Sequence, residues 1–306
     1  MTDEIFRAKW HDYRSPAMYF ITINKPDDCP SYGKLIFSPV PYIEYSPVGH
    51  LISAGINELK GSHEWLKIYR HVIMPNHIHM VMHIREHIDE HLGNIIGRFK
   101  YTLTQQFHEK SFAEKDISLF RSGYNDKILT NKRSLDDVIQ YTSKNPERLA
   151  RIKLHPEWFR NKSRMIINGQ ECQLYGNLNL LENPFMSSVH ISSKFSEKER
   201  EDYIDRKLYE TACGGIAVGA FISDIEKRLR DAIAQRGGRF ILLSADPIPE
   251  KFKPSRYLFN LCSEGRLLII SPMEAQRLRG EKMISKVSCR FMNEMAEEME
   301  IQGIRR

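Results

Sequence analysis

The chain has 306 residues, a length that favours two domains over one. Its 41% hydrophobic and 27% charged residues are ordinary for a globular protein and exclude wholesale disorder. The net charge of +6 and the pI of about 8.9 are mildly basic and compatible with a polyanionic partner. No segment approaches the roughly 18 apolar residues that span a bilayer, and the start MTDEIFRAKWHDYR carries charges where a signal peptide needs an apolar run.

The five cysteines are scattered and form no CxxC pair, which argues against a zinc knuckle or a dithiol redox site. They are Cys29, Cys172, Cys213, Cys262 and Cys289. A dispersed, odd set is typical of reduced core residues. We therefore expect a cytoplasmic protein that is not associated with a membrane.

The first half of the chain alternates strand and helix patterns in the order β, α, β, β, α, followed by one more helix. The predicted elements are strands over 18–24, 34–37, 65–73 and 77–84, and helices over 47–59, 92–107 and about 135–145. Ser46 before Pro47 is typical of an N-cap, and Ser134 is the predicted cap of the last helix. This order predicts an α+β fold with a four-stranded, ferredoxin-like antiparallel sheet covered on one face, although the pattern does not place its last strand.

The composition changes after about residue 165, and 184–198 has the character of a connection. The elements predicted beyond it are helices over 196–212, 224–236 and 255–262, and strands over 215–218, 240–244 and 267–270. Helices alternating with short apolar strands are typical of a parallel sheet wrapped by helices. We predict a first domain over 1–165, a connecting segment over 166–195 and a smaller α/β domain over 196–306.

A pair of histidines gives the sharpest pattern, in HVIMPNHIHMVMH over 71–83. His77 and His79 are two residues apart in a predicted strand, so their rings share one face, about 7 Å apart along the strand. Ile78 faces the opposite side, towards a core. The two imidazoles could therefore reach one ion, or they could be ordinary strand histidines with satisfied hydrogen bonds. His83 shares their face but is roughly 13 Å beyond His79, too far for a third ligand.

A tyrosine on the later helix gives a second pattern, in SLDDVIQYTSKNPERLA over 134–150. The apolar stripe of this helix consists of Leu135, Val138, Ile139 and Thr142. Tyr141 lies off that stripe, and Asn145 is stacked one turn beyond it on the same side. Pro146 ends or bends the helix, which would leave Asn145 near its C-terminus. Tyr141 and Asn145 could face one metal ion together; alternatively, Tyr141 is an amphipathic packing residue.

The two patterns combine into one chemical hypothesis. Two imidazoles and one amide oxygen leave coordination positions for water and phosphate oxygens. Mg²⁺ accepts oxygen ligands readily, and Mn²⁺ tolerates imidazole better. The ion would polarise a phosphodiester, Tyr141 would attack phosphorus in line, and the DNA 3′-hydroxyl would leave. A phenol with a pKa of about 10 needs the metal or a base beside it, and the sequence identifies no base.

The motifs HVIMPNHIH and YTSKN resemble those of the HUH single-tyrosine transposases and, within them, the REP-associated tyrosine transposases. The strings YRSPAMYFITIN, SGYNDKIL and NPERLA support the resemblance, which covers about the first half of the chain. It implies a ferredoxin-like fold, metal ligands at His77, His79 and Asn145, and Tyr141 as the nucleophile that forms a 5′-phosphotyrosine.

The same resemblance implies hairpin-containing single-stranded DNA as the partner. By position, the helix that carries Arg98, Lys100 and Tyr101 is the candidate DNA contact, although each residue could equally belong to a solvated basic face. Both a monomer and a homodimer are compatible with the resemblance, since relatives differ on whether the tyrosine acts within one subunit or across two.

The second half is similar, more weakly, to the Rossmann-like fold of DNA-processing A (Smf-type) proteins. The similarity rests on GGIAVGAFISDIEKRLRDAIAQRGGRFILL and KPSRYLFNLCSEGRLLIISP. No GxGxxG motif is present, so we predict no dinucleotide cofactor. The turn over 219–223, before a helix, could accept a phosphate or be a simple tight turn, and we favour the turn.

Three functions follow from these patterns. The first is a DNA strand transferase or nickase. The second is a domesticated relative that binds hairpin DNA without cutting it. The third, a zinc-dependent hydrolase, is disfavoured because no HExxH motif or carboxylate cluster accompanies the histidine pair. The intact tyrosine and histidines favour the enzyme.

Overall fold

The computed structural model of the chain describes residues 8–112, 116–280 and 284–305. The chain forms two compact units, Met1–Ala150 and Arg151–Arg306. Within the described ranges, no helix is both long and apolar enough to cross a bilayer.

Among its described residues, the first unit contains six strands and four helices, of which the last helix extends past residue 150. The strands are β1 (Ala17–Asn24), β2 (Gly33–Ile36), β3 (Tyr42–Tyr45), β4 (Leu66–Met74), β5 (His77–Ile84) and β6 (Asn125–Leu129). The helices are α1 (Pro47–Gly61), α2 (Leu92–Glu109), α3 (Lys132–Ser143) and α4 (Asn145–Leu154).

Four of these strands form an antiparallel sheet in the order β4-β5-β1-β6. The hairpin β2-β3 stands apart as a two-stranded sheet. Without that hairpin, the order along the chain is β-α-β-β-α-β. The α+β class predicted from the sequence is confirmed, and β6 is the last strand that the hydrophobic pattern did not place.

The two faces of the four-stranded sheet have different neighbours. Alternate residues such as Ile21 on β1 and Ile78 on β5 are fully buried in one core with Ile52 of α1 and Ile96 of α2. The opposite face carries α3, which contacts β4, β5 and β6. The prediction of a sheet covered on one face was therefore incomplete, because a shorter helix lies over part of the second face.

Capping groups set where the helices begin. Ser46 caps α1 as predicted, its Oγ accepting a hydrogen bond of 3.1 Å from the Gly49 amide. The predicted Ser134 cap is wrong. Asn131 caps α3, its Oδ1 accepting a hydrogen bond of 2.8 Å from the Ser134 amide, so the helix begins one turn earlier.

The helix that carries Tyr141 ends at Ser143, before Pro146, which has no N–H to donate. A new helix, α4, begins at Asn145. The expectation that Asn145 lies near the end of the tyrosine helix is therefore corrected: it is the first residue of the next one. Tyr141 and Asn145 are thus separated by a break in the helix.

The second unit contains six strands and five helices among its described residues. The strands are β7 (Arg160–Ile167), β8 (Gln170–Gly176), β9 (Met186–Ser188), β10 (Ile216–Gly219), β11 (Arg239–Leu243) and β12 (Leu267–Pro272). The helices are α5 (Glu197–Ala212), α6 (Asp224–Gln235), α7 (Arg256–Cys262), α8 (Met273–Arg277) and α9 (Lys286–Gln302).

These strands form one mixed sheet in the order β7-β8-β12-β11-β10-β9. β9 to β12 are parallel, as predicted for this half, and β8 and β7 add an antiparallel hairpin beside β12. The division at 150/151 differs from the predicted boundary at 165. The predicted connecting segment 166–195 instead supplies β8, β9 and the end of β7, because its buried side chains, such as Cys172 and Leu174, complete the core of this sheet.

Candidate active site

His77 and His79 lie on the face of β5 that looks away from the main core. Antiparallel pairing with β1 places Asn24 opposite His77 and Thr22 opposite His79. The two imidazole rings are T-shaped with centres 4.5 Å apart. His79 is buried, with 3% of its surface exposed, whereas His77 is half-buried. The structure thus brings the two predicted rings together at one end of the sheet.

Each ring is held by a hydrogen bond at its Nδ1 atom. His77 Nδ1 lies 2.7 Å from Asn76 Oδ1, in the turn between β4 and β5. His79 Nδ1 lies 2.9 Å from Thr22 Oγ1, across the β1–β5 pairing. In both rings the hydrogen bond therefore engages Nδ1 and not Nε2.

Tyr141 reaches this pair from α3. Its ring centre is 5.7 Å from that of His79. Phe20 on β1 contacts both rings. Its ring centre is 4.7 Å from that of His79 and 6.0 Å from that of Tyr141, to which it is edge-on. Next along α3, Thr142 is fully buried and bonds back to Val138. The helix is therefore fixed by packing at residue 142, while residue 141 is half-buried beside the histidines.

Arg148 of α4 adds a positive charge to the site. Its guanidinium carbon lies 5.2 Å from the centre of the Tyr141 ring, within the range of a cation–π contact. A guanidinium in this position can also form a bidentate ion pair with a phosphate. The sequence patterns did not single out this residue, since its approach depends on the angle at which α4 leaves α3.

Asn145, the predicted third ligand, is buried with 7% of its surface exposed. Among the described residues, its Nδ2 atom has no hydrogen-bond partner. A buried polar atom without a partner costs about 1–3 kcal/mol. Because Nδ2 can only donate, the group that would complete its hydrogen bonding is an acceptor, such as a phosphate or solvent oxygen, and not a cation.

Imidazole nitrogens and amide oxygens are the ligand types of the predicted metal site. Two imidazoles lie side by side, each with its Nδ1 atom in a hydrogen bond. The unpaired atom of Asn145 is the amide nitrogen, whereas a cation would need the amide oxygen. Within the ranges that the structure describes, no group of three or more His, Cys, Asp or Glu could hold a metal ion. The predicted set has only two such residues, His77 and His79, so it depends on amide, solvent or substrate oxygens to complete a coordination shell.

The three residues predicted to contact DNA differ in their surroundings. Arg98 forms a two-point pair with Glu90, at 2.6 and 2.5 Å. Lys100 Nζ donates hydrogen bonds of 2.6 Å to the carbonyls of Arg121 and Gly123, and burial lowers its pKa. Tyr101 is 67% exposed. Of the three, Tyr101 has the surface expected of a residue that stacks on a base, whereas Lys100 tethers a loop of its own chain.

The turn over 219–223 in the second unit is a closed turn. The buried carboxylate of Glu226 accepts hydrogen bonds of 3.0 Å from the amides of Ile191, Ile222 and Ser223. Ser223 and Glu226 together form a capping box at the start of α6. The amides of Ile222 and Ser223 are therefore occupied by a carboxylate of the same chain. This argues against the phosphate site and agrees with the tight turn that we favoured.

Comparison with known proteins gives distant similarities. No protein-family model matches the chain. An uncharacterised protein of Haemophilus influenzae is 25% identical over an alignment of 164 residues that covers 46% of this chain and 86% of that protein. A REP-associated tyrosine transposase solved with a REP hairpin is similar with a TM-score of 0.35 and 14% identity, over 49% of this chain and 74% of that one. The structural relationship is distant.

Proposed function

We propose that the first unit cuts and rejoins single-stranded DNA, with Tyr141 as the nucleophile and His77, His79 and Asn145 as ligands of Mg²⁺ or Mn²⁺. The observation that carries this proposal is the meeting of the Tyr141 and His79 rings, 5.7 Å apart between centres, from elements far apart in sequence. The order β-α-β-β-α-β and the sheet order β4-β5-β1-β6 support the ferredoxin-like HUH fold for this unit.

The proposed reaction is a phosphoryl transfer. The Tyr141 oxygen attacks the phosphorus of a phosphodiester, the bond from phosphorus to the 3′-oxygen breaks, and the phenol loses its proton while the departing 3′-oxygen gains one. The product is a 5′-phosphotyrosine and a free 3′-hydroxyl. Attack by a 3′-hydroxyl on this phosphotyrosine reverses the step and rejoins a strand.

The surrounding residues supply orientation and charge. A divalent cation would neutralise the charge that develops on the phosphate oxygens. Arg148, beside the Tyr141 ring, can pair with a phosphate oxygen while the phenol attacks. Phe20 lies against both Tyr141 and His79 and so limits the positions that the two rings can take.

The substrate class proposed is single-stranded DNA that contains a hairpin. Support comes from the order of the HUH and tyrosine motifs and from the exposed aromatic ring of Tyr101 on α2. Exposed aromatic rings stack on unpaired bases without a strict sequence requirement. The contact between Tyr141 and His79 lies within one chain, which supports a reaction completed in one subunit.

A covalent-adduct assay tests the proposal. Purified protein is incubated with end-labelled hairpin single-stranded DNA and Mn²⁺ or Mg²⁺, then denatured and separated by electrophoresis. We expect a labelled protein–DNA adduct that requires the metal and disappears in Tyr141→Phe. Tyr209→Phe, an equivalent change at an exposed tyrosine of the second unit, is the matched control and should keep the adduct.

Two other outcomes would replace the proposal. Specific hairpin binding without an adduct under either metal would indicate a binding protein. Metal-stimulated cleavage that survives Tyr141→Phe would indicate a hydrolase that uses water as the nucleophile.

A further inference from the structure

We propose that Asn76 and Thr22 are positioning residues that hold His77 and His79 as their Nδ1-protonated tautomers, so that each ring offers Nε2 to a divalent cation. The role of the cation in this inference rests on the proposed function. The tautomers can be measured in the metal-free protein, independently of that function. The two residues come from different elements, the β4–β5 turn and β1.

Asn76 determines the state of His77 by its chemistry. A neutral imidazole has one nitrogen that donates and one that accepts. The atom of Asn76 that faces the ring is Oδ1, 2.7 Å from His77 Nδ1, and a carbonyl oxygen can only accept. His77 Nδ1 therefore carries the proton, and the lone pair of the ring lies on Nε2.

Thr22 presents a different case, because a hydroxyl can donate or accept. Its Oγ1 lies 2.9 Å from His79 Nδ1. If the hydroxyl donated, His79 would carry its proton on Nε2 and could not bind a metal there. Ligation by His79 Nε2 thus requires Nδ1 to donate to Thr22, and the hydroxyl is placed to accept that bond.

The surroundings of His79 preserve this orientation. Thr22 and His79 are directly opposite each other in the β1–β5 register, and the ring is 3% exposed. Phe20 lies against the ring, with centres 4.7 Å apart. A ring rotation that exchanged the two nitrogens would break the bond to Thr22 in a space that these contacts already fill. Outer partners of this kind commonly change metal affinity by about 10- to 100-fold when removed.

Four variants and three measurements test the inference. Asn76→Ala and Thr22→Val remove the hydrogen-bonding groups, and Thr22→Ser restores the hydroxyl. Thr102→Val, at an exposed position on α2, is the matched control for the threonine change. Thermal unfolding shows which variants keep the fold. Histidine ¹⁵N resonances of the metal-free proteins report the tautomers, and calorimetric titration with Mn²⁺ alone reports affinity.

We expect wild-type His77 and His79 to be protonated at Nδ1 in the metal-free protein. Asn76→Ala should give a mixture of tautomers at His77, and Thr22→Val should do so at His79. Each variant should weaken Mn²⁺ binding by about 10- to 100-fold, whereas Thr22→Ser and Thr102→Val should stay close to wild type.

The inference is overturned if wild-type His77 carries its proton on Nε2, or if both variants keep wild-type tautomers and wild-type Mn²⁺ affinity. Failure of the proposed function has a different signature. If the wild-type protein binds no Mn²⁺ and forms no adduct, the metal proposal fails, while the ¹⁵N resonances still decide whether Asn76 and Thr22 set the tautomers.

Discussion

Lys100 was predicted to contact DNA, but in the structure it holds a loop of its own chain. Its ammonium group lies between the carbonyls of Arg121 and Gly123 and is half-buried, so a phosphate would have to displace bonds that hold a loop. From the sequence alone, a lysine beside an arginine and a tyrosine on one helix predicts a basic surface. In the structure the ammonium group of that lysine is instead bonded to the loop that contains Arg121 and Gly123.

Replacing Lys100 tests this assignment. Lys100→Met keeps the length of the side chain and removes the donors, so we expect the free energy of unfolding to fall by about 1–3 kcal/mol because two carbonyls lose their partner. Affinity for hairpin DNA should stay unchanged. Lys110→Met, at an exposed position after α2, is the control. A loss of DNA affinity with an unchanged free energy of unfolding in urea would show that Lys100 contacts DNA.

The residues around the histidines show what the sequence could and could not predict. The alternation of β5 was enough to place His77 and His79 on one face. Thr22 and Phe20 were missed, because their approach depends on the β1–β5 register, which joins segments far apart in the chain. Asn76 precedes His77 directly, but strand alternation does not predict which way a turn side chain points. Local periodicity assigns a residue to a face but not to its partner across a sheet.

At the level of elements, the helices and parallel strands between 196 and 272 were predicted well, whereas the strands between 160 and 188 were missed. α5, α6 and β10 to β12 all lie within a residue or two of their predicted bounds. β7 was missed because it is an edge strand with exposed charges, which hide the pattern of a half-buried strand.

The charges on β7 have a structural explanation that can be tested. Arg160, Lys162 and Arg164 are exposed on the edge of the six-stranded sheet. Charged side chains on an edge strand oppose pairing with another chain. Changing all three to Gln should increase self-association with concentration, as measured by sedimentation velocity.

The matched control for this edge variant removes three charges elsewhere in the same unit. Lys227, Arg228 and Arg236, all exposed on or just after α6, are changed to Gln. We expect the control to sediment as the wild type does. Equal sedimentation of the two variants would show that the charges of β7 do not protect the edge.

At the level of the whole molecule, the basic charge is unevenly distributed. Residues 1–150 contain 19 Lys and Arg against 18 Asp and Glu, and residues 151–306 contain 26 against 21. The unit that carries the candidate site is therefore nearly neutral, and most of the net charge of +6 belongs to the second unit. The overall charge supports a polyanionic partner for the chain but does not locate the binding surface in the first unit.

The contact of Tyr141 with its own His79 predicts catalysis within one subunit. In a mixing experiment, Tyr141→Phe supplies intact histidines and His77→Ala/His79→Ala supplies an intact tyrosine. If each subunit completes its own site, the mixture should form no more adduct than either variant alone. Recovery of the adduct on mixing would show that the tyrosine acts across a dimer.

The central claim, that Tyr141 and the histidine pair act on one phosphodiester, is tested most directly by locating the covalent bond. The wild-type protein is reacted with hairpin single-stranded DNA and Mn²⁺, digested with a protease and a nuclease, and analysed by tandem mass spectrometry. We predict a nucleotide joined through its 5′-phosphate to Tyr141, and no such peptide from His77→Ala/His79→Ala. A nucleotide on another residue, or the same yield of the Tyr141 adduct without the histidines, would contradict the account.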